Sequence, residues 1–403
     1  MAILPLAAPP VSIGDELTLE LIGLNHSGAG LGRVDNWVVM VPLGLPGERV
    51  QVRVWRNHKR YSEADLLAVL EPSPSRKEPR CELFGRCGGC QYQHLDYAQQ
   101  LAWKGRHVRE AFQRLGQCDV PVAPVRPSPQ QYGYRAKLTP HFRRSPHRYP
   151  DDPIGFQGCR GRRVIDVPAC PIATDAVNHH LPVAREQVRS GLGRRFKRGG
   201  TLLLRHTLEG VTGDPNAVVS ERIGEWVFQF QAGEFFQNNP YLLPELVDYV
   251  VQQTTGPGLR FLIDVYCGVG VFGIAASRQF ERCAGVEVSP IGFHWAQANA
   301  LINRVDNITF RLGKAEAVFA ALDFAPQASV LVIDPPRRGC DASFLHQVFT
   351  FGPQRIVYVS CAPETQARDL RAFIAHGYTI TAVQPFDLFP QTRHIKTVVS
   401  LQQ

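Results

Sequence analysis

Nowhere in the 403 residues does an apolar run approach the roughly 20 residues that a membrane helix needs, and Met1 to Pro10 has no basic segment ahead of its short apolar stretch. No membrane partner is expected, and a cytoplasmic protein is. Acidic side chains are in deficit: 36 Asp and Glu stand against 44 Lys and Arg, a net charge of +8 that points to a polyanionic partner. Disulfides have little place in a reducing cytosol, so closely spaced members of the ten cysteines point to metal or catalysis. With 44% hydrophobic residues the chain is too long for one ordinary domain, and we expect a monomer built of three parts, residues 1–75, 76–230 and 231–403.

In the first part, Leu17–Leu21, Trp37–Val41, Glu48–Val54 and Ala64–Leu70 alternate as strands do. The glycine-rich stretch Asn25-His-Ser-Gly-Ala-Gly-Leu-Gly32 reads as a turn, and Pro72 and Pro74 close the segment. Short strands at this density suggest an OB-like barrel. Arg53, Arg56, Lys59 and Arg60 add charge at one end.

The second part holds Cys81, Cys87 and Cys90 in a C-x5-C-x2-C arrangement, with Cys170 before a proline as a fourth candidate. A second paired C-x-x-C, the commoner zinc pattern, is missing. Gly88 and Gly89 allow a tight fold with backbone N–H groups facing sulfur, so a [4Fe–4S] cluster is the first reading, structural zinc the second and free thiols the third. Tyr97, Leu101, Val108, Phe112 and Leu115 recur at helical spacing. Residues 133–163 then carry Arg135, Lys137, Arg143, Arg144, Arg148, Arg160, Arg162 and Arg163, interleaved with Tyr134, Phe142, Tyr149 and Phe156. Cations for phosphates beside rings for bases suit RNA. Arg194, Arg195, Lys197 and Arg198 form another basic group.

The third part lacks a complete dinucleotide fingerprint. Its apolar strand Phe261-Leu-Ile-Asp-Val runs into Tyr266-Cys-Gly-Val-Gly270, and Glu287 ends the next strand 23 residues after Asp264. A glycine turn with a distal acid binds a ribose-bearing cofactor in a Rossmann-like α/β sheet, and Asp264, able to hold an amino or carboxyl group, tilts the reading from NAD to S-adenosyl-L-methionine. Val330-Leu-Val-Ile delivers Asp334 and Arg337 on a rigid Pro-Pro loop, and Ile356-Val-Tyr-Val-Ser delivers Cys361 ahead of a helix. A lone cysteine reads as core, but three strands that end in chemistry at one rim favour a nucleophile.

Together Phe235-Phe-Gln-Asn-Asn239, the Asp264–Gly270 turn, Asp334-Pro-Pro-Arg-Arg-Gly and Ser360-Cys-Ala-Pro-Glu-Thr-Gln-Ala-Arg-Asp-Leu resemble the RNA uridine-5-methyltransferases. The upstream barrel resembles a TRAM domain, and with the cysteines it is similar to the branch that mostly acts on large-subunit ribosomal RNA. The 5-methylcytosine enzymes would carry Pro-Cys after the Asp334 strand, where this chain has Pro-Pro. The resemblance implies RNA as partner, rRNA ahead of tRNA. It implies cofactor contacts at Gln237, Tyr266, Glu287 and Asp334, beside the turn glycines Gly268 and Gly270, and a base contact at Phe235; the basic stretch adds Arg135, Lys137 and Arg143 as RNA contacts, and the cysteine spacing Cys81, Cys87, Cys90 and Cys170 as cluster ligands. Cys361 would add to carbon 6 of uracil so that carbon 5 takes the methyl group, with Asp334 and Arg337 orienting the base.

One residue departs from the pattern. The family's general-base Glu in F-P-x-T-x-H-[VIM]-E is absent, and Phe389-Pro-Gln-Thr-Arg-His-Ile-Lys396 places Lys396 there. An ammonium has no lone pair, so three readings follow: a neutral Lys396 as base, proton removal by His394 or a water, or an RNA-binding protein that keeps the fold without turnover.

Overall fold

Alternating valines near the N-terminus fold into a curled sheet in the computed structural model, which describes residues 9–143, 152–161, 163–190, 199–313, 319 and 322–403. Strands β1 (Glu16–Glu20), β2 (Gly23–Leu24), β3 (Ala29–Val34), β4 (Trp37–Pro42), β5 (Arg49–Asn57) and β6 (Tyr61–Glu71) pair in the order β1-β5-β6-β4-β3-β2, an OB-like half-barrel. Val50, Val52 and Val54, alternate residues of β5, point inward onto Leu19, Leu21, Val39 and Val41. Each such buried side chain contributes about 2 kcal/mol. The glycine stretch corrects the sequence reading: only residues 25–28 turn, and Ala29–Val34 is a strand. Its glycines are there for close packing, because a Cβ on Gly30 would lie 2.8 Å from both the Gly44 carbonyl and the Leu21 side chain.

The middle of the chain contains α1 (Tyr97–Ala111), strands β7 (Lys137–Leu138), β8 (His141–Arg143), β9 (Ile154–Gln157) and β10 (Val164–Asp166), and α2 (Asp175–Ser190). It continues through β11 (Gly199–Thr201), β12 (Leu204–Thr207), β13 (Gly210–Thr212), β14 (Val218–Ile223) and β15 (Trp226–Gln231). The expected helix ends earlier than its pattern: Leu115 lies in a π-turn past α1 and is exposed, while the polar Gln100, Lys104 and His107 join Val108 and Phe112 on the buried face. Ion pairing explains the burial of Lys104, whose ammonium donates to Asp387 at 2.6 Å and to the Phe389 carbonyl at 3.0 Å.

After α3 (Leu243–Thr254) comes the sheet that carries the candidate site. Strands β16 (Phe261–Val265), β17 (Arg282–Glu287), β18 (Ile308–Leu312), β19 (Ser329–Ile333), β20 (Arg355–Ser360), β21 (Thr379–Phe386) and β22 (Lys396–Gln402) pair in the order β18-β17-β16-β19-β20-β22-β21. The first five run parallel, β22 is antiparallel to β20 and β21 antiparallel to β22. Helices α4 (Val271–Ala276), α5 (Pro290–Ile302), α6 (Ala342–Phe351) and α7 (Pro363–Ala375) connect them. Every residue of β16 and β19 is buried, as a parallel sheet covered on both faces requires. Two compact units make up the chain: Met1–Trp103 with Phe156–Ile165 and Gln391–Arg393, and Lys104–Gly155 with Asp166–Pro390 and His394–Gln403. Among the described residues, no helix is long and apolar enough to cross a membrane.

Candidate active site

The carboxyl ends of β16, β17, β19 and β20 supply the polar residues of the site. Beyond β16 the backbone turns sharply: Tyr266, Gly268 and Gly270 have φ of 64°, 56° and 88°, and a tyrosine in the left-handed region is strain of the kind that persists at functional turns. Glu287, at the end of β17, accepts the Gly268 N–H at 2.8 Å and the Ser289 N–H at 2.7 Å, which fixes its carboxylate toward the turn. Asp264 is buried behind the turn and accepts the Gly273 N–H at 2.7 Å. Burial pushes its carboxyl up to about 7; the Gly273 N–H opposes the shift, and the charges of Asp334 and Glu287 add to it.

Sheet register brings the other three ends together. Ile333 pairs with Tyr358 and Ser360 with Thr397, so one step further Asp334 lies beside Val359 and Cys361 opposite Lys396. Cys361 is half-buried, whereas Cys267, Cys283 and Cys340 are buried. Its neighbour Ser360 accepts the Ala362 N–H at 3.0 Å, which shapes the turn into α7. Lys396 is 3% exposed, and its ammonium donates to both oxygens of Asp334 at 2.8 Å. Both oxygens of the Asp334 carboxylate are thus held by the one Lys396 nitrogen. His394 meets the Phe389 ring edge-on at 6.1 Å. Arg337 is exposed on the Pro-Pro loop.

Phe235 is 73% exposed, a ring presented to solvent, and Gln237 beyond it is half-buried. Asn239 closes this motif from inside: its amide nitrogen donates to Ser128 at 3.0 Å and to the Leu388 carbonyl at 3.2 Å, and its oxygen accepts the Tyr241 and Leu242 N–H groups. Lys137 reaches the same segment. Its ammonium donates to the carbonyls of Gly233 at 3.1 Å and Glu234 at 3.3 Å, and burial, with Arg205 and Arg135 nearby, lowers it to about 8. Arg205, which the sequence reading missed, donates to the Glu234 carbonyl at 2.7 Å and lies over the Phe230 ring. Arg135 donates to the Lys137 carbonyl at 3.1 Å, and Arg143 is exposed on β8. Tyr134 and Phe142 correct the reading of the rings as base contacts: both are buried, and the Tyr134 hydroxyl donates to the Pro390 carbonyl. Arg144, Arg148, Tyr149, Arg162, Arg194, Arg195, Lys197 and Arg198 lie outside the described residues.

At the cysteine segment, burial pushes the Cys87 thiol up, the Gly89 N–H directed at its sulfur opposes the shift, and the nearby Cys81 and Cys159 thiols add to it. Cys159, a thiol absent from the sequence reading, joins them: its backbone N–H donates to the Arg86 carbonyl at 3.0 Å and its thiol to that of Gly85 at 2.7 Å. Among the described residues no group of three or more His, Cys, Asp or Glu is arranged to hold a single metal ion.

Comparison with known proteins decides the family. A profile described as tRNA (uracil-5-)-methyltransferase matches residues 217–403, and one for the TRAM domain matches residues 10–67. The chain is 40% identical to a tRNA (uracil(54)-C(5))-methyltransferase of Schizosaccharomyces pombe over 98% of its own length and 80% of the relative's. It belongs to the tRNA (uracil-5-)-methyltransferase family. It is therefore an RNA (uracil-5-)-methyltransferase dependent on S-adenosyl-L-methionine. The enzyme of the same description from Saccharomyces cerevisiae is 32% identical over 96% of this chain and 73% of its own. In fold the chain is similar to the crystal structure of Pyrococcus abyssi tRNA (uracil-54, C5)-methyltransferase in complex with S-adenosyl-L-homocysteine, with a TM-score of 0.73, 23% identity, and coverage of 96% of this chain and 100% of that one. The Schizosaccharomyces pombe and Saccharomyces cerevisiae relatives are named for tRNA, so the expected preference for ribosomal RNA gains no support from them.

Proposed function

We propose that this methyltransferase forms 5-methyluridine in tRNA through a covalent adduct on Cys361. The observation that carries the proposal is the half-exposed thiol at the end of β20, opposite Lys396 and beside the Asp334 strand. The Cys361 thiolate adds to carbon 6 of the uracil, and the resulting enolate attacks the sulfonium methyl from carbon 5. S-adenosyl-L-homocysteine leaves, and loss of the carbon-5 proton then restores the double bond and expels the thiolate. Glu287 and the Tyr266–Gly270 turn hold the cofactor, Phe235 stacks on the extruded base, and Arg337 steadies the developing oxyanion. The tRNA assignment rests on the names of the relatives.

The ion pair with Asp334 sets the order of difficulty. Lys396 donates to both oxygens of Asp334, and on that basis we take the carbon-5 proton to depart to water rather than to Lys396. A positioned base is worth about a hundredfold or more, and without one the release of the adduct is the slow step. The same pair favours a second reading, an RNA-binding protein that retains fold and cofactor with turnover lost. Methyl transfer from labelled cofactor to tRNA and rRNA, with nucleoside analysis and denaturing gels, separates the two. Free 5-methyluridine in tRNA with a transient adduct supports the enzyme, a permanent adduct without free product supports the second reading, and product confined to rRNA overturns the tRNA assignment.

The [4Fe–4S] cluster is part of the same proposal. Each cysteine of such a cluster binds a different iron, so its sulfurs need not converge on one point, and an N–H directed at the Cys87 sulfur suits a cluster thiolate. Cys81, Cys87, Cys90 and Cys170 would hold it. The group would serve a structural role, and no step of methyl transfer passes through it.

A further inference from the structure

Behind the rim, one hydroxyl bridges the two loops that carry Cys361 and Arg337. Thr365 Oγ1 lies 3.0 Å from the carbonyl oxygen of Arg337 and 3.1 Å from that of Ala362, the residue after Cys361. A hydroxyl has a single proton, so Thr365 donates to one carbonyl at a time while keeping both within reach. One turn further along α7, Arg368 Nη2 donates to the Arg338 carbonyl at 2.9 Å and to that of Cys340 at 3.3 Å. Asp369, 1% exposed, completes the set. Its Oδ2 accepts the Cys340 N–H and the Tyr358 hydroxyl, each at 2.8 Å, and its Oδ1 accepts Arg368 Nε at 2.9 Å and Nη2 at 2.7 Å. Gly339 lets the loop lie this close: its φ is 78°, and a Cβ there would come within 2.5 Å of Asp369 Oδ2.

Tyr358 is on β20, Cys340 follows the Asp334 loop, and Thr365, Arg368 and Asp369 sit on successive positions of α7 that face that loop. We propose that Thr365, Arg368 and Asp369 are positioning residues for methyl transfer, fixing the Arg337 loop against the turn that presents Cys361. The proposal rests on Cys361 as the nucleophile. Nucleophile and oxyanion partner follow different strands, β20 and β19, and beyond the pairing of those strands this set of bonds from α7 ties the 337–340 backbone to the turn that presents Cys361. A shift of about 1 Å between reacting groups costs about a hundredfold in rate.

Thr365→Val keeps the side chain's shape and removes the hydroxyl, while Thr365→Ser keeps the hydroxyl. RNA containing 5-fluorouridine reports the steps through methyl transfer without the release step, because fluorine cannot leave carbon 5 as a cation and the methylated adduct accumulates on gels. We expect Thr365→Val to slow adduct formation about tenfold with cofactor affinity unchanged, and Thr365→Ser to restore it. Asp369→Asn should show the same split between intact cofactor binding and slow adduct formation. Wild-type rates in both Thr365→Val and Asp369→Asn, or a Thr365→Ser variant as slow as Thr365→Val, would overturn the proposal. A wild-type protein that forms no adduct on fluorinated RNA would instead overturn the covalent reading, and this inference with it.

Discussion

At Lys396 a single side chain carries the charge opposite to that of the Glu in the family pattern that this chain resembles. Its ammonium and the Asp334 carboxylate stabilise each other only as a pair, since truncating one partner strands the other charge in a largely enclosed place. Lys396→Met should therefore lower stability by about 3 kcal/mol, read from denaturant midpoints. Lys396→Glu places two carboxylates at one spot, where mutual repulsion raises the affinity of one of them for a proton and makes it a competent base near neutral pH. We expect that variant to release 5-methyluridine faster than wild type, and an unchanged release rate in single-turnover assays would remove position 396 from the elimination step. Asp264 adds a pH dependence of its own. Burial raises its folded value to about 7 from 3.8, so between those limits the native state holds a proton that the unfolded chain has lost. Its contribution to stability falls as pH rises through that window. Asp264→Asn should flatten the slope of Tm against pH between about 4 and about 7, a comparison that thermal melts in matched buffers make directly.

At the scale of elements, the site depends on backbone carbonyls as much as on side chains. The segment that ends in Phe235 is held from below by Lys137 and Arg205, both donating to its carbonyls. Lys137→Met should thus reduce RNA methylation about tenfold while leaving cofactor affinity intact, measured by steady-state kinetics beside calorimetry; equal losses in both would point to general unfolding instead. The cysteine segment makes its own prediction. If Cys81, Cys87 and Cys90 carry iron and sulfide, anaerobically prepared protein contains both, and chelation under oxidising conditions lowers Tm. Metal-free protein with an unchanged melt would leave these residues as free thiols. Motif positions on strand ends were legible in the sequence because a buried apolar run followed by a polar residue can end only at a rim. The roles of Lys137 and Tyr134 were not legible: a basic or aromatic residue in a mixed stretch looks the same whether it faces a ligand, a carbonyl or the core.

For the molecule as a whole, the excess of basic residues makes RNA binding dependent on salt, since every phosphate contact releases a counterion. Between about 50 and about 200 mM salt we expect RNA affinity to fall at least about tenfold, with a linear log–log slope in filter-binding or fluorescence titrations. A flat slope would assign binding to base contacts alone. The sequence by itself determined the OB-like strands of the N-terminal part, the α/β sheet, the glycine turn after β16 and the place of Cys361 after an apolar strand, because alternation, apolar runs and glycine turns are local and each has few physical solutions. Tertiary structure alone decided that Lys396 is spent on Asp334, that Asn239 and Asp369 are buried fasteners, and that residues 156–165 and 391–393 join the N-terminal unit. Those facts join residues far apart in the chain, and a hydrogen bond or an ion pair between such residues leaves no local trace in either partner's neighbourhood.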